Sequence, residues 1–440
     1  MGKRSSNKSQ AMLDWYGDVV GAHIKSSPSF ARSWLSFGFA WTRWRTAHVQ
    51  DHRLYPCDNY AARICFDMVS QAFSRTHELV LSSIFLPTEI FQALDLPTVT
   101  AEALAGTTGG AHAERGFVSY AEESGIPETY CSYHKVLMGM ALSGVLEKPR
   151  MLASCSVACD ANNLTFKTLA KLWDVPSVYV DVPYEISEDS IMYVADELRG
   201  LAGKAEEVFG RKIDQARLSG LVARSQRTLD TLSRSLTKRA SHYLKSDMML
   251  TVEELLDAHV ALGSPGAEKM AAHMVEDYAG AAPYEGLSLV WVHTAPFFLP
   301  ELSQHLDRSP QAQIVATDML FDQVCGEDGP WRHDGTQRPF EAMAERLVRC
   351  SFNGPAARRA ERIRWICEQT HADGAVIFCH WGCKETAGAA QLIRRTLERA
   401  GFPALVLDGD GCDRKNNMCG QMSTRFEAFL ELLRLRHETC

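Results

Sequence analysis

Two stretches of the sequence place a pair of cysteines directly after a short apolar run and directly before a predicted helix. In AVIFCHWGCKETAG the pair is Cys379 and Cys383, and in RMLASCSVACDANNL it is Cys155 and Cys159. Three residues separate the cysteines in both pairs. Cysteine sulfur is a ligand for zinc and for iron–sulfur clusters, but free cysteine is also commonly buried as a small apolar side chain. The repeated arrangement calls for one explanation of both pairs.

The apolar runs before these cysteines belong to two series of predicted strands that alternate with predicted helices. Alternation of this kind is typical of a parallel sheet with crossover helices. The sequence therefore predicts an α/β protein with two Rossmann-like (flavodoxin-like) domains, 77–187 and 282–440. The predicted strands of the first domain are 79–85, 97–100, 150–154 and 177–182, and those of the second are 287–292, 313–317, 375–378 and 404–408.

Two further regions lack strand patterns and are predicted to be helical. Residues 1–76 form a helical N-terminal extension, and residues 188–281 form a helical connector or cap between the two α/β domains. The apolar spacing of the extension suits helices that pack on something larger. It includes the tryptophans Trp15, Trp34, Trp41 and Trp44.

Two local patterns give further predictions of structure. The glycine-rich segment GTTGG at 106–110 is predicted to be a loop, with a helix following near 131–145. Near the C-terminus, Thr424 and Glu427 have the T-x-x-E spacing of a capping box, in which each side chain bonds a free backbone N–H at a helix start. The last helix is therefore predicted to begin at Thr424.

The predicted positions of the cysteines indicate a shared ligand site. In open α/β sheets ligands bind beyond the carboxyl ends of the strands, and both pairs follow the third strand of their domain. If the domains face each other, one cysteine from each can meet, with Cys131 at another helix start as a third. Helix N-termini stabilise thiolates. Three thiolates from separated loops suit a [4Fe-4S] cluster that keeps one iron free of protein ligands.

Spacing alone leaves two other interpretations open. Structural zinc sites usually take close cysteine pairs from one local ribbon, whereas these pairs lie far apart in the sequence. Alternatively, all five cysteines are buried thiols at strand ends, because a pair with three intervening residues is a weak motif.

The composition and charge of the chain argue against some partners and locations. The chain has 440 residues with 46 basic and 54 acidic side chains, and its net charge of -8 argues against nucleic acid as a partner. The apolar stretch WLSFGFAW is too short to cross a membrane and lacks a signal-peptide cleavage pattern. We therefore expect a cytoplasmic protein without membrane contact, whose thirteen cysteines are reduced thiols.

Six motifs together resemble the component D family of 2-hydroxyacyl-CoA dehydratases. That family also contains subunits of ATP-dependent benzoyl-CoA reductases and double-cubane-cluster proteins. The resemblance runs from Leu79 to Leu433, and it implies two similar α/β domains with a cluster between them. The forms HWGCK and DGDGCDR are similar to those of the larger, alpha-type subunit. The motifs are LPTEIFQALDLP, CSYHKVLMG, CDANNLTF, VDVPY, HWGCKETAG and LDGDGCDRKNNMCGQMSTRFEAFLE.

The resemblance implies which cysteines hold the cluster. By position in these motifs, the ligands of a [4Fe-4S] cluster are Cys131, Cys159 and Cys383. The other member of each pair is then a buried thiol, Cys155 or Cys379. Two more cysteines at a later strand end have no assigned role, Cys412 and Cys419.

The resemblance also implies an activity and its partners. The family removes water from an (R)-2-hydroxyacyl-CoA by a radical syn elimination, in which a low-potential electron forms a ketyl radical anion of the thioester. The electron comes from a separate ATP-hydrolysing iron–sulfur activator, and a homologous second subunit completes a heterodimer. This chain has no P-loop motif, which agrees with a separate ATPase. The alternatives are a reductase of the benzoyl-CoA or double-cubane type, and a cluster-carrying subunit that supports a catalytic homologue.

Five other residues near these motifs are candidates for binding the acyl-CoA substrate. His134 and the pair His380 and Trp381 flank the implied ligands, while Gln421 and Arg425 lie near the start of the last helix. The helix start could hold an anionic or carbonyl group. The alternative roles are packing for the tryptophan and solvation for the arginine.

Overall fold

Two four-stranded parallel sheets form the framework of the computed structural model, which describes residues 2–326 and 329–439. Their strand orders are β2-β1-β3-β4 and β6-β5-β7-β8, so the two sheets have the same topology. This is the flavodoxin-like order, and it confirms the predicted fold class. The strands are β1 Val80–Ser82, β2 Thr98–Thr100, β3 Met151–Cys155, β4 Ser177–Val180, β5 Leu287–Val292, β6 Ala312–Thr317, β7 Gly374–His380 and β8 Ala404–Gly409.

Helices precede, connect and cover these sheets. Within the described residues, no helix has both the length and the apolar character needed to cross a membrane. Three helices precede the first sheet, α1 Gly2–His23, α2 Pro28–His48 and α3 Pro56–Ser74. The helices of the first sheet are α4 Glu89–Ala93, α5 Ala101–Gly110, α6 Glu114–Glu123, α7 Ser132–Leu142 and α8 Asp160–Trp173.

The remaining helices connect the two sheets or surround the second one. The helices that follow β4 connect the two sheets in the chain. They are α9 Glu188–Phe209, α10 Gln215–Arg239, α11 Met248–Val260 and α12 Pro265–Ala279. Those of the second sheet are α13 Pro300–Leu306, α14 Pro339–Arg349, α15 Ala356–Gln369, α16 Lys384–Arg399 and α17 Cys419–Thr439.

The strands β3 and β7 occupy equivalent inner positions of their sheets. Every residue of both strands is buried, since helices cover both faces of a parallel sheet and its inner strands are apolar throughout. The chain leaves each strand at the carboxyl edge and then starts a helix, α8 or α16. The fold thus brings the segments after β3 and β7 to corresponding edges.

The N-terminal extension is helical as predicted. Most of its tryptophans, however, do not contribute to the buried contacts between the extension and the rest of the protein. Its buried positions are aliphatic and phenylalanine residues such as Leu35 and Phe39. Trp34 is partly buried and stacks on Tyr16 with ring centroids 5.7 Å apart. The other three tryptophans are largely exposed, Trp15, Trp41 and Trp44.

The prediction of a loop at GTTGG is wrong, because residues 106–110 lie in the second half of α5. Thr100 is the N-cap of this helix, and its side-chain oxygen accepts the Ala103 N–H at 3.2 Å. Its glycines allow close packing and do not form a turn. A Cβ at Gly109 would lie 3.6 Å from the carbonyl oxygen of Cys412. Packing between α5 and the loop after β8 therefore overrides the low helix propensity of glycine.

The predicted capping box is also wrong, because α17 begins at Cys419, five residues before Thr424. The Thr424 hydroxyl donates to the Gly420 carbonyl oxygen at 3.0 Å, which is the back-bond of a threonine inside a helix. Glu427 instead accepts a hydrogen bond from Ser423 one turn earlier, at 3.1 Å.

Gly139 gives a test of the packing that positions α7. A Cβ at this residue would lie 2.1 Å from the carbonyl oxygen of Phe117 in α6. We therefore expect Gly139→Ala to lower the melting temperature, although alanine favours a helix by about 1 kcal/mol. The control is Gly200→Ala in α9, where a Cβ would have no atom within 4 Å and the substitution should stabilise the protein. Thermal unfolding followed by circular dichroism compares them, and equal shifts would contradict the packing argument.

Candidate functional site

A cavity of about 590 Å³ lies where the carboxyl ends of the two sheets meet. Residues from both α/β units line it, including Cys159 after β3, Cys383 after β7 and Cys131 at the start of α7. The structure thus brings together the three cysteines that the sequence predicted as cluster ligands. They come from three separate segments of the chain.

Each of these cysteines is the residue that immediately precedes a helix. Cys131 is the N-cap of α7, Cys159 of α8 and Cys383 of α16. The Cys159 sulfur accepts the backbone N–H of Asn162 at 3.3 Å. A helix N-terminus carries partial positive charge and stabilises a thiolate. Three helix ends therefore favour negatively charged sulfur in one cavity.

A histidine ring also faces each of the three sulfurs. His380 Nε2 lies 3.3 Å from the sulfur of Cys131. The backbone N–H of Gly411 donates to His380 Nδ1 at 2.9 Å, so the ring proton is on Nε2. His380 is therefore oriented as an N–H donor to Cys131.

The other two histidines face sulfur in a similar way. His134 Nε2 is 3.7 Å from the sulfur of Cys159, and His293 Nε2 is 3.5 Å from the sulfur of Cys383. Burial lowers the pKa of His134 to about 3 and lowers the pKa of His293 well below its usual value. Both rings are thus neutral. Their Nδ1 atoms are buried and have no hydrogen-bond partner among the described residues.

A glycine turn brings Cys383 close to Cys131. Gly382 has a φ of +79°, a left-handed conformation that favours glycine. A Cβ at Gly382 would also lie 2.6 Å from the backbone nitrogen of Cys131. The motif HWGC therefore needs glycine for two reasons, the backbone conformation and the contact between the two units.

Side chains at the start of α7 fasten this helix to the second unit. The Ser132 hydroxyl donates to Asp410 Oδ1 at 2.5 Å. The Tyr133 hydroxyl donates to the Gly411 carbonyl oxygen at 3.0 Å and lies 2.6 Å from Thr294 Oγ1. All of these groups are buried, so the hydrogen bonds form away from bulk water. They fix the position of Cys131 relative to the loop after β8.

Glu102 and His293 are among the polar residues of the cavity that the sequence analysis missed. Burial raises the pKa of Glu102 to about 7, and its Oε2 has no hydrogen-bond partner among the described residues. His293 follows β5 directly and has a φ of +76°, held by its N–H bond to Asp318 Oδ1 at 2.7 Å. Both residues follow strand ends, so the rule applied to the cysteines could have found them.

The other residues predicted for substrate binding divide into two groups. His134 and His380 line the cavity with the cysteines. Trp381 is 45% exposed, and neither it nor Gln421 is among the described residues that line the cavity. Arg425 lies on a different pocket, where it donates to the Val406 carbonyl oxygen at 2.7 Å.

Four neighbouring cysteines that were not predicted as ligands lie outside the cavity lining. Cys155 is buried with its sulfur 3.7 Å from the Ser83 hydroxyl, and Cys379 lines the separate pocket beside Arg425. Cys412 is buried against the Ala105 carbonyl oxygen at 3.8 Å, while Cys419 begins α17. The two members of each pair thus have different surroundings.

The three cysteine thiols that border the cavity are of the donor type that iron–sulfur clusters take as ligands. Among the described residues, no three histidine, cysteine or acidic side chains are grouped as ligands for a single metal ion. The three thiols instead border one larger cavity and have N–H groups nearby. Burial raises the pKa of all three, so binding of iron would displace their protons.

Comparison with known proteins gives related sequences over most of the chain. One is the (R)-phenyllactyl-CoA dehydratase alpha subunit of Clostridium sporogenes, 22% identical over 370 residues, which are 80% of this chain and 88% of that protein. Another is the lactoyl-CoA dehydratase subunit alpha of Anaerotignum propionicum, 22% identical over 400 residues, 82% and 92% of the two chains. A subunit of the benzoyl-CoA reductase of Thauera aromatica is 23% identical over 391 residues, 80% and 88% of the two chains.

A family model agrees with these relatives and covers every strand after β1. The model described as 2-hydroxyglutaryl-CoA dehydratase, D-component, matches residues 83–433. That range includes the three N-cap cysteines and the three histidines that face them. The chain belongs to the 2-hydroxyglutaryl-CoA dehydratase D-component family.

Proposed function

We propose that this chain is the alpha-type subunit of an (R)-2-hydroxyacyl-CoA dehydratase that uses a [4Fe-4S] cluster. The observation that carries the proposal is the convergence of Cys131, Cys159 and Cys383, each at a helix N-terminus, on one cavity between the two sheets. Membership of the dehydratase family gives the reaction class.

Three cysteines leave one iron of such a cluster without a protein ligand. When bound, the cluster would supply an open iron for the thioester carbonyl oxygen and a path for one electron. Hydroxide leaves C2 of the substrate, a proton leaves C3, and the electron is returned. The net change is therefore the loss of one water, with no electrons consumed.

The residues of the chain have distinct roles in this proposal. The N–H of His380 donates to the sulfur of Cys131, and hydrogen bonds to ligand sulfur tune the potential of a cluster. Glu102 lines the cavity, its Oε2 has no hydrogen-bond partner in the described part of the chain, and burial raises its pKa to about 7. A carboxyl group with such a pKa is suited to take up the proton from C3 near neutral pH.

The proposed enzyme needs two protein partners besides its acyl-CoA substrate. A homologous second subunit would form a heterodimer with this chain, and two relatives are themselves named as alpha subunits. A separate iron–sulfur activator that hydrolyses ATP would deliver the electron. The setting is the cytoplasm of an anaerobe.

A second candidate function is an ATP-dependent reductase, of the benzoyl-CoA or double-cubane type. The observation that favours it is the similarity to the benzoyl-CoA reductase of Thauera aromatica, at an identity close to that of the dehydratase relatives. Both functions use the same cavity, but they differ in the use of electrons.

Replacement of single cysteines tests the ligand set. We expect Cys131→Ala, Cys159→Ala and Cys383→Ala each to bind little iron and to have no activity, because each removes one of three protein attachments. The controls are Cys155→Ala and Cys379→Ala, which lose about 1 kcal/mol of stability by removing a buried sulfur and keep the cluster. Iron and sulfide analysis of anaerobically purified protein measures the difference. A full iron content in Cys383→Ala would reject the assignment.

Gly382→Ala tests the contact that holds Cys383 near Cys131. A side chain at this position meets the backbone of Cys131 and adds roughly 1–2 kcal/mol of left-handed strain. We expect the folded variant to retain clearly less iron than the wild type, although no ligand has changed. The control is Gly388→Ala in α16, where a Cβ would have no atom within 4 Å. If both variants bind iron like the wild type, the contact does not control the site.

The electron balance separates the two candidate functions. A dehydratase returns its electron, so one reduction of the activated enzyme should support many turnovers of a 2-hydroxyacyl-CoA. A reductase consumes electrons in proportion to product. We expect product to exceed added reducing equivalents by at least about tenfold, as required for an electron that acts catalytically. Equal amounts of electrons and product would favour the reductase.

A further inference from the structure

One wall of the cavity consists of apolar side chains from segments that carry none of the three cysteines. Val252, Leu255 and Leu256 come from α11, Phe85 from the loop after β1, and Phe352 from the loop after α14. All five are buried. The rings of Phe85 and Phe352 are 5.3 Å apart and form a continuous surface. We call these five residues the apolar wall.

The charges around the cavity do not complement a second carboxylate. Among the described lining residues the side chains of Glu102, Asp160 and Glu385 are acidic, and the basic one is Lys384. Lys384 is exposed and lies beside Cys383, on a different segment from the apolar wall. An acyl chain ending in a carboxylate would therefore lose its hydration against apolar groups without gaining an ion pair.

The guanidinium group that contacts Phe352 of the apolar wall is already paired. Arg359 lies 4.1 Å from the centre of the Phe352 ring. It donates to Asp318 Oδ2 at 2.8 Å and to Glu385 Oε2 at 2.6 Å. Its charge is therefore balanced by two carboxylates, and Arg359 is not among the described residues that line the cavity.

We propose that the acyl group of the substrate is apolar beyond C3, either branched aliphatic or aromatic, and that acyl groups with a second carboxylate are selected against. This inference rests on the proposed function, since the apolar wall is taken to face the acyl chain of a 2-hydroxyacyl-CoA. The apolar wall makes van der Waals contact with such a chain and excludes water from it. The inference thus names the class of 2-hydroxyacyl-CoA that the proposed dehydratase would accept.

Binding measurements test the acyl class without turnover. The full chain, purified anaerobically with its partner subunit, is titrated with three thioesters that share the CoA group. They are 2-hydroxyisocaproyl-CoA, phenyllactyl-CoA and 2-hydroxyglutaryl-CoA. We expect the two apolar thioesters to bind at least about 10-fold more tightly than the dicarboxylate, in the range that one or two apolar contacts supply. Equal or tighter binding of 2-hydroxyglutaryl-CoA would overturn the inference.

A matched pair of leucine variants tests whether the apolar wall causes the preference for apolar acyl groups. Leu255 and Leu250 both lie in α11 and are both buried, but Leu250 is not among the residues that line this cavity. We expect Leu255→Ala to reduce the ratio of 2-hydroxyisocaproyl-CoA to 2-hydroxyglutaryl-CoA affinity several-fold, and Leu250→Ala to leave the ratio unchanged. A general loss of stability would lower both affinities together. The same change of ratio in both variants would contradict a direct contact at Leu255.

Turnover of the same thioesters separates failure of this inference from failure of the proposed function. Each is incubated with the ATP-dependent activator and reductant, and enoyl-CoA is measured. Dehydration that is fastest with 2-hydroxyglutaryl-CoA would keep the proposed function and reject the apolar substrate class. Tight binding of the apolar thioesters without dehydration of any thioester would keep the substrate class and reject the dehydratase function.

Discussion

The close approach of the two α/β units at Gly382 is the constraint on which the candidate site depends. This turn has a left-handed backbone and contacts the backbone of Cys131, which leaves no room for a Cβ. Buried hydrogen bonds from Ser132 and Tyr133 to the loop after β8 hold the same helix start in place. Two cysteines that are about 250 residues apart in the chain therefore face one cavity through backbone contacts, and any group bound there depends on the alignment of both units.

Two opposing effects act on the charge of the three cysteine sulfurs, burial and nearby polar groups. A low-dielectric cavity disfavours thiolates, and burial accordingly raises the pKa of each thiol. Three helix N-termini and the ring N–H of His380 provide the opposing contribution. Burial also lowers the pKa of His134 and of His293, so these two rings are neutral and add no net charge beside the sulfurs. Helix ends and ring N–H donation thus act against the effect of burial on the charge of these sulfurs.

The sequence predicted the fold class well, because the strands of a buried parallel sheet are short apolar runs and their alternation with helices indicates parallel pairing. The convergence of Cys131, Cys159 and Cys383 was also predicted, from strand ends and from motifs. Glu102 was missed because its helix contains GTTGG, a segment typical of loops. The apolar wall was not predicted, since α11 is apolar on most sides and periodicity does not show which side meets another domain. Packing of α17 on β8 within the second unit places Arg425 on a different pocket, which periodicity also does not show.

The identical strand order of the two sheets has a further consequence, which concerns internal symmetry. Cys159 and Cys383 occupy corresponding positions, so repetition of one structural unit accounts for two sulfurs of the cavity. Cys131 lies in the connection between the second and third strands of the first unit and has no such counterpart. The corresponding connection of the second unit, between β6 and β7, contributes Met319 and Phe352 to the cavity, whereas its Cys350 donates to Asp322 outside the lining. The two units thus differ in the connection between their second and third strands. This connection supplies a cysteine sulfur in the first unit and apolar side chains in the second, so two units of the same topology give the cavity two chemically different sides.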